Sequence, residues 1–95
     1  MSITVEDIRK SMRISHTSLD NEIQTNIDAC LLDMKRVGIN TGKEPDALMV
    51  KACEVYCKAE FDYAGKGEQF RRTYENLRDA LSLCSDYQKE PYTDV

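Results

Sequence analysis

The chain has 95 residues, 41% hydrophobic and 32% charged, which suits one folded domain and leaves too little chain for a second core. Its 17 acids against 13 bases give a net charge of −4, the wrong sign for a domain that wraps a nucleic-acid backbone. No apolar run approaches the ~20 residues that cross a bilayer. The opening "MSITVEDIRK" carries acids where a secretory signal has cations, so an intracellular location with four reduced cysteines is expected.

In "ITVEDI", Thr4 is placed to cap the amide of Asp7, and Ile3 and Ile8 have the spacing of a hydrophobic staple. Val5, Ile8 and Met12 share one face, predicting a short helix over about 5 to 13. The loop "SHTSLD" follows, with Thr17 or Ser18 as the next cap. Ile23, Ile27, Cys30, Leu31 and Met34 then form the apolar stripe of a helix over about 19 to 37. Its acids (Asp20, Glu22, Asp28) come early and Lys35 and Arg36 late, which complements the helix dipole, and Gly38 can close it in the left-handed conformation.

After "INTGKEP", Pro45 fits the first turn of a third helix over about 45 to 63. Lys51, Glu54, Lys58 and Asp62 form one narrow polar stripe, and Leu48, Val50, Ala52, Cys53, Val55, Tyr56, Cys57, Ala59 and Phe61 surround it. A helix this apolar must be covered on most sides, by its own domain or by another subunit. Gly65 and Gly67 break the pattern as a helix stop and a tight turn. A fourth helix, about 68 to 86, buries Phe70, Tyr74, Leu77, Leu81 and Cys84 and carries a Glu68–Arg72 surface pair. The tail "YQKEPYTDV" has no periodicity, so the expected organisation is one domain, 1–95, with a folded core over 1–87 and a flexible tail over 88–95. The fold class is all-α, a compact bundle of about four helices.

Candidate chemistry is sparse. Cys53 and Cys57 are four apart on one helix, and Cys30 and Cys84 could complete a four-thiolate metal site. All four, however, fall on apolar stripes and lack the C-x₂-C spacing of a knuckle, which fits small buried hydrophobes better. His16 lies in a polar loop near Asp20 with no nucleophile evidently placed beside it, and a solvated role is expected. Lys66, Arg71, Arg72 and Arg78 give the fourth helix basic character, offset by Glu68, Glu75 and Asp79. Gly65 and Gly67 lack the lysine, the hydroxyl and the preceding strand of a phosphate loop. No catalytic residue, cofactor or metal is therefore expected.

The order of segments carries further information. "ITVEDIRKSMRIS" followed by "LDNEIQTNIDACLLDMKRVG", with Met12-Arg13-Ile14, Asp20 and Ala29-Cys30 as the matching positions, resembles the small head–tail connector proteins of tailed bacteriophages and prophages. The apolar "KACEVYCKAEFDY" is similar to that family's central helix, and the likeness covers roughly residues 3 to 87. The chain departs from it in the loop "SHTS", often acidic in the family, and at Cys30, which stands in place of a small aliphatic residue.

The resemblance implies structural work rather than catalysis. It implies a cyclic ring of about a dozen copies, a portal protein above it and a tail-side completion protein below. It also implies assembly in the bacterial cytoplasm and residence in the virion neck, with no membrane contact. DNA would pass through the channel without sequence-specific binding, for which a surplus of acid is suitable. A second reading is a small DNA-binding packaging or regulatory adaptor acting through the fourth helix. The aromatics Tyr56, Phe61, Tyr63, Phe70, Tyr74 and Tyr87 are the candidate packing and subunit-interface residues, since interfaces are enriched in such side chains. The segment from about Tyr87 is the part expected to be ordered by a neighbouring copy.

Overall fold

The computed structural model describes residues 3–42 and 44–88. Four α-helices follow one another: α1 (Val5–Ser11), α2 (Asp20–Arg36), α3 (Ala47–Glu60) and α4 (Gly67–Leu83). Short 3-10 turns occupy Tyr63–Gly65 and Ser85–Tyr87, and an isolated bridge joins Ile39 to Gln88. The all-α expectation holds.

Thr4 caps α1 as its position suggests, its hydroxyl oxygen accepting the Asp7 amide at 3.1 Å. The helix stops at Ser11, two residues earlier than the periodicity predicts, because Arg13 takes a left-handed backbone (φ 58°). The Ile14 amide then reaches back to the Arg9 carbonyl at 2.9 Å, closing a Schellman turn without glycine. In α2, Ile23, Ile27, Cys30 and Met34 are buried on the stripe that the sequence marks. Neither Thr17 nor Ser18 caps this helix by its side chain. The Thr17 carbonyl accepts the Asp20 amide, and the Ser18 hydroxyl turns to His16. Gly38 (φ 97°) ends α2, and the Ile39 amide donates to the Met34 carbonyl at 3.0 Å.

Asp46 starts α3, its carboxylate accepting the Leu48 and Met49 amides at 3.1 Å each. Pro45 therefore precedes the cap and does not occupy the first turn. Met49, Ala52, Cys53, Val55 and Cys57 are buried, and α3 packs on α4 most extensively, then on α2 and on α1. The helix that had to be covered is thus central in its own chain, although Leu48 at its start stays 48% exposed. It ends at Glu60 because Asp62 adopts the left-handed region (φ 49°), so Asp62 and Tyr63 lie beyond it.

Tyr74 and Leu81 of α4 are buried, Phe70 and Leu77 pack partly buried on the core, and Cys84 lies past the helix end. The chain then returns to the start of α3. The Tyr87 carbonyl accepts the Asn40 amide at 2.7 Å, and its phenol meets the Asp46 carboxylate. Tyr87 is therefore held by its own chain, where a neighbouring copy had been expected to order it. The tail expectation for residues 89–95 lies outside the described residues.

Candidate subunit interface

The connection between α3 and α4 carries most of the aromatics, and its backbone is strained. Asp62, Ala64 (φ 55°) and Gly65 (φ 71°) all take positive φ, and for the two non-glycine residues that conformation costs about 1 kcal/mol each. The left-handed turn at Asp62 directs its carboxylate forward onto the first amide of α4, where Oδ1 accepts from Gly67 at 2.7 Å. A carboxylate at a helix N-terminus also meets the positive end of the dipole. The strain at Asp62 is thereby coupled to the point where α4 departs.

Around this turn the rings pair edge to face, the geometry that aromatic quadrupoles favour. Tyr63 and Phe70 have centroids 6.2 Å apart at 60°, with the Lys58 ammonium 5.4 and 5.7 Å from the two rings. One α3 turn earlier, Tyr56 meets Tyr74 at 5.0 Å and 75°. Phe61 is half-buried and borders a shallow groove with Asn21, Glu22, Thr25 and Asn26 of α2. The six sequence-marked aromatics do not form one surface. Tyr74 is 2% exposed inside the chain, Tyr87 sits by the start of α3, and Tyr56, Phe61, Tyr63 and Phe70 are half-buried along α3, its exit turn and the first turn of α4.

A polar node ties α2 to α4. Asp33 Oδ2 accepts the Tyr74 hydroxyl at 2.7 Å and the Arg78 guanidinium at 3.0 Å, while Oδ1 meets Arg36. Burial opposes ionisation of Asp33, but the hydrogen bonds from Tyr74, Arg78 and Arg36 outweigh it and hold the carboxyl below its usual range. Burial first, with the Asp33 charge and hydrogen bond contributing, pushes the Tyr74 phenol well up. Asp33→Ala is expected to cost about 1–2 kcal/mol at neutral pH, because Tyr74 and Arg78, and at the exposed edge Arg36, lose a charged acceptor. A depressed folded-state pKa contributes stability above the unfolded value of about 4 and loses it as pH falls further. The melting-temperature gap between wild type and Asp33→Ala should therefore narrow below about pH 4. An equal gap at neutral and acid pH would show that Asp33 acts through packing alone.

The other candidate groups are placed as follows. Cys30 and Cys53 are buried with their sulfurs 3.3 Å apart, and their hydrogen bond together with burial pushes the Cys30 thiol up. Burial pushes the Cys57 thiol up to about 12, so it is protonated and unreactive at neutral pH. Among the described residues, no group of three or more His, Cys, Asp or Glu side chains is gathered as a metal would need. His16 is exposed, with Nδ1 2.6 Å from the Ser18 hydroxyl, so a serine does lie beside it. Asp20 turns away from that pair to meet Arg9, 2.9 Å from its Nε in an ion pair outside hydrogen-bond alignment. The basic residues of α4 are also engaged: Arg71 with Glu60, Arg72 with Glu68 at 3.3 Å, and Arg78 with Asp33 and Asp79 at 3.0 Å.

Two surface features escape the stripe analysis. Leu32 is 66% exposed and Leu83 is 82% exposed. The doublet Leu31-Leu32 and the spacing of Leu81 and Leu83 carry the signal, since one helix face cannot hold both members of either pair. Among the described residues, no helix is long and apolar enough to cross a membrane.

A model of the phage connector protein family matches residues 5–88. No curated protein and no solved structure matches the chain significantly. The match runs from the first residue of α1 to the bridge residue Gln88 and so takes in all four helices. On that extent the chain belongs to the phage connector protein family, structural virion proteins of the head–tail connector type.

Proposed function

We propose that this chain is the subunit of a ring seated beneath the portal of a phage head, where it extends the DNA channel and presents a surface to the next tail-side protein. The family match over residues 5–88 carries the reading. The net charge of −4 supports a channel that lets DNA slide, because a wall poor in free cations holds few phosphates. The ion pairs made by Arg71, Arg72 and Arg78 point the same way, away from an adaptor that reads DNA through α4. The half-buried aromatics at the α3–α4 connection then set the angle between these helices, and their open edges are available to a neighbouring copy.

The test is to mix the protein with its cognate portal and examine the particles by electron microscopy. Added ring density on the portal is the expected result. A weak contact between free subunits is compatible with it, since a portal that gathers many copies raises their effective concentration. A portal that gains no density at high subunit concentration would overturn the reading. A salt-sensitive shift of duplex DNA at physiological ionic strength, without ring formation, would favour the adaptor.

A further inference from the structure

Among the described residues the core buries no charged side chain, yet three of its members are cysteines: Cys30 of α2 and Cys53 and Cys57 of α3. A buried thiol commonly serves as a small hydrophobe, and thiols set apart from one another would call for no other role. Cys30 and Cys53 are not apart. They lie on two packed helices with their sulfurs 3.3 Å from each other, the Cys53 thiol donating to the Cys30 sulfur. A disulfide holds its sulfurs about 2.05 Å apart, so closing the bond asks for roughly 1.2 Å of approach shared by two side chains that already meet.

Two features keep the pair reduced while the core is closed. The hydrogen bond from Cys53, then burial, push the Cys30 thiol up, with the Tyr74 hydroxyl opposing them, so little nucleophilic thiolate forms. Both residues are also fully buried, and an oxidant reaches them only when α2 and α3 part locally. The same burial protects the bond once it has formed, because a reducing thiol must wait for the same opening. Such a pair stays free through folding and assembly in a reducing cytoplasm and closes slowly in an oxidising medium.

We propose that Cys30 and Cys53 are a latent disulfide, which closes after the particle leaves the cell and staples α2 to the central helix α3. The oxidant is a small hydroperoxide. One sulfur, as the thiolate, attacks a peroxide oxygen; the O–O bond breaks, a sulfenic acid forms and the other oxygen leaves as water or alcohol. The second sulfur then attacks the first, the S–O bond breaks, and the hydroxyl leaves as water with the second thiol's proton. The pairing rests on the contact inside one chain. Only its setting, a particle outside the cell, comes from the family to which the chain belongs, and the ring is not required.

The test exposes the full chain, freshly reduced and freed of reductant, to a modest excess of hydrogen peroxide for several days. The mass should fall by about 2 Da, the two hydrogens lost. Digestion that cuts at Glu54, between Cys53 and Cys57, should yield a linked fragment pair carrying Cys30 and Cys53, with Cys57 and Cys84 outside the link. Because the bond spans a sequence separation of 23 residues, the melting temperature should rise by roughly 10 °C or more and return to the reduced value once the bond is reduced. Cys53→Ala should show no such rise, and the wild-type fragment map decides the matter independently if that variant folds poorly. Cys30 and Cys53 recovered unlinked, a link from Cys30 to Cys57, or a linked protein that melts below the reduced one would each overturn the proposal. A portal that gains no ring density would leave this result untouched.

Discussion

Val55→Asp is expected to lower stability by about 4 kcal/mol, and the melting temperature by about 15–30 °C for a domain of this size. Val55 is 4% exposed on the central helix, which packs against all three of the others. A carboxylate there has no partner: among the described residues the core holds no buried charged or polar side chain. It must either stay charged in an apolar surrounding or take up a proton at a raised pKa, and both alternatives destabilise the fold. Since small domains are stable by only about 5–15 kcal/mol in total, this variant retains little reserve. Lys51→Asp is the control for helix propensity, because Lys51 is exposed on the same helix and the change there should stay within about 0.5 kcal/mol. Thermal or urea unfolding followed by circular dichroism measures both. Near wild-type stability for Val55→Asp would contradict the central placement of α3.

The residues that the sequence marks most clearly are those whose placement depends on helical periodicity. Ile23, Ile27, Cys30 and Met34 repeat at three and four and are buried together, and the narrowness of the polar stripe on α3 announces its central position. Helix ends were less clear because they depend on single backbone torsions. Arg13 and Asp62 enter the left-handed region without being glycine, so α1 and α3 stop two and three residues before the periodicity does. The Asp33 node was invisible for another reason. Its partners Tyr74 and Arg78 are 41 and 45 residues away, and nothing local distinguishes a carboxylate that will meet them from one that will be solvated. The aromatic residues were legible as a group while their division was not. Tyr74 goes fully inside and Phe70 half inside, though both lie on the inward stripe of α4.

Gly67→Ala should destabilise by about 2–3 kcal/mol, although alanine is the better helix former by about 1 kcal/mol. Gly67 is the first residue of α4 and is buried against the end of α3. A Cβ at that position would stand 2.7 Å from Asp62 Oδ1, 3.0 Å from the Ala59 carbonyl oxygen and 3.1 Å from Asp62 Cα. Two of those three atoms are backbone and cannot rotate away. The third is the carboxylate that accepts the Gly67 amide, so moving it sacrifices the hydrogen bond at the start of α4. Steric overlap therefore outweighs propensity. The double-mutant cycle with Asp62→Gly separates the contributions: removing the carboxylate relieves the shortest contact, so the cost of Gly67→Ala should shrink in that background without vanishing. A neutral or stabilising Gly67→Ala would show that the turn yields easily and does not fix α4. The consequence for assembly follows from leverage. At 1.5 Å per residue, the 17 residues of α4 span about 25 Å, so a tilt of roughly 10° at Gly67 displaces Leu83 by about 4 Å. That displacement is comparable to the width of a side-chain contact. On the proposed ring reading, a subunit whose α3–α4 turn is loosened should accordingly lose assembly on its portal even at temperatures where it remains folded.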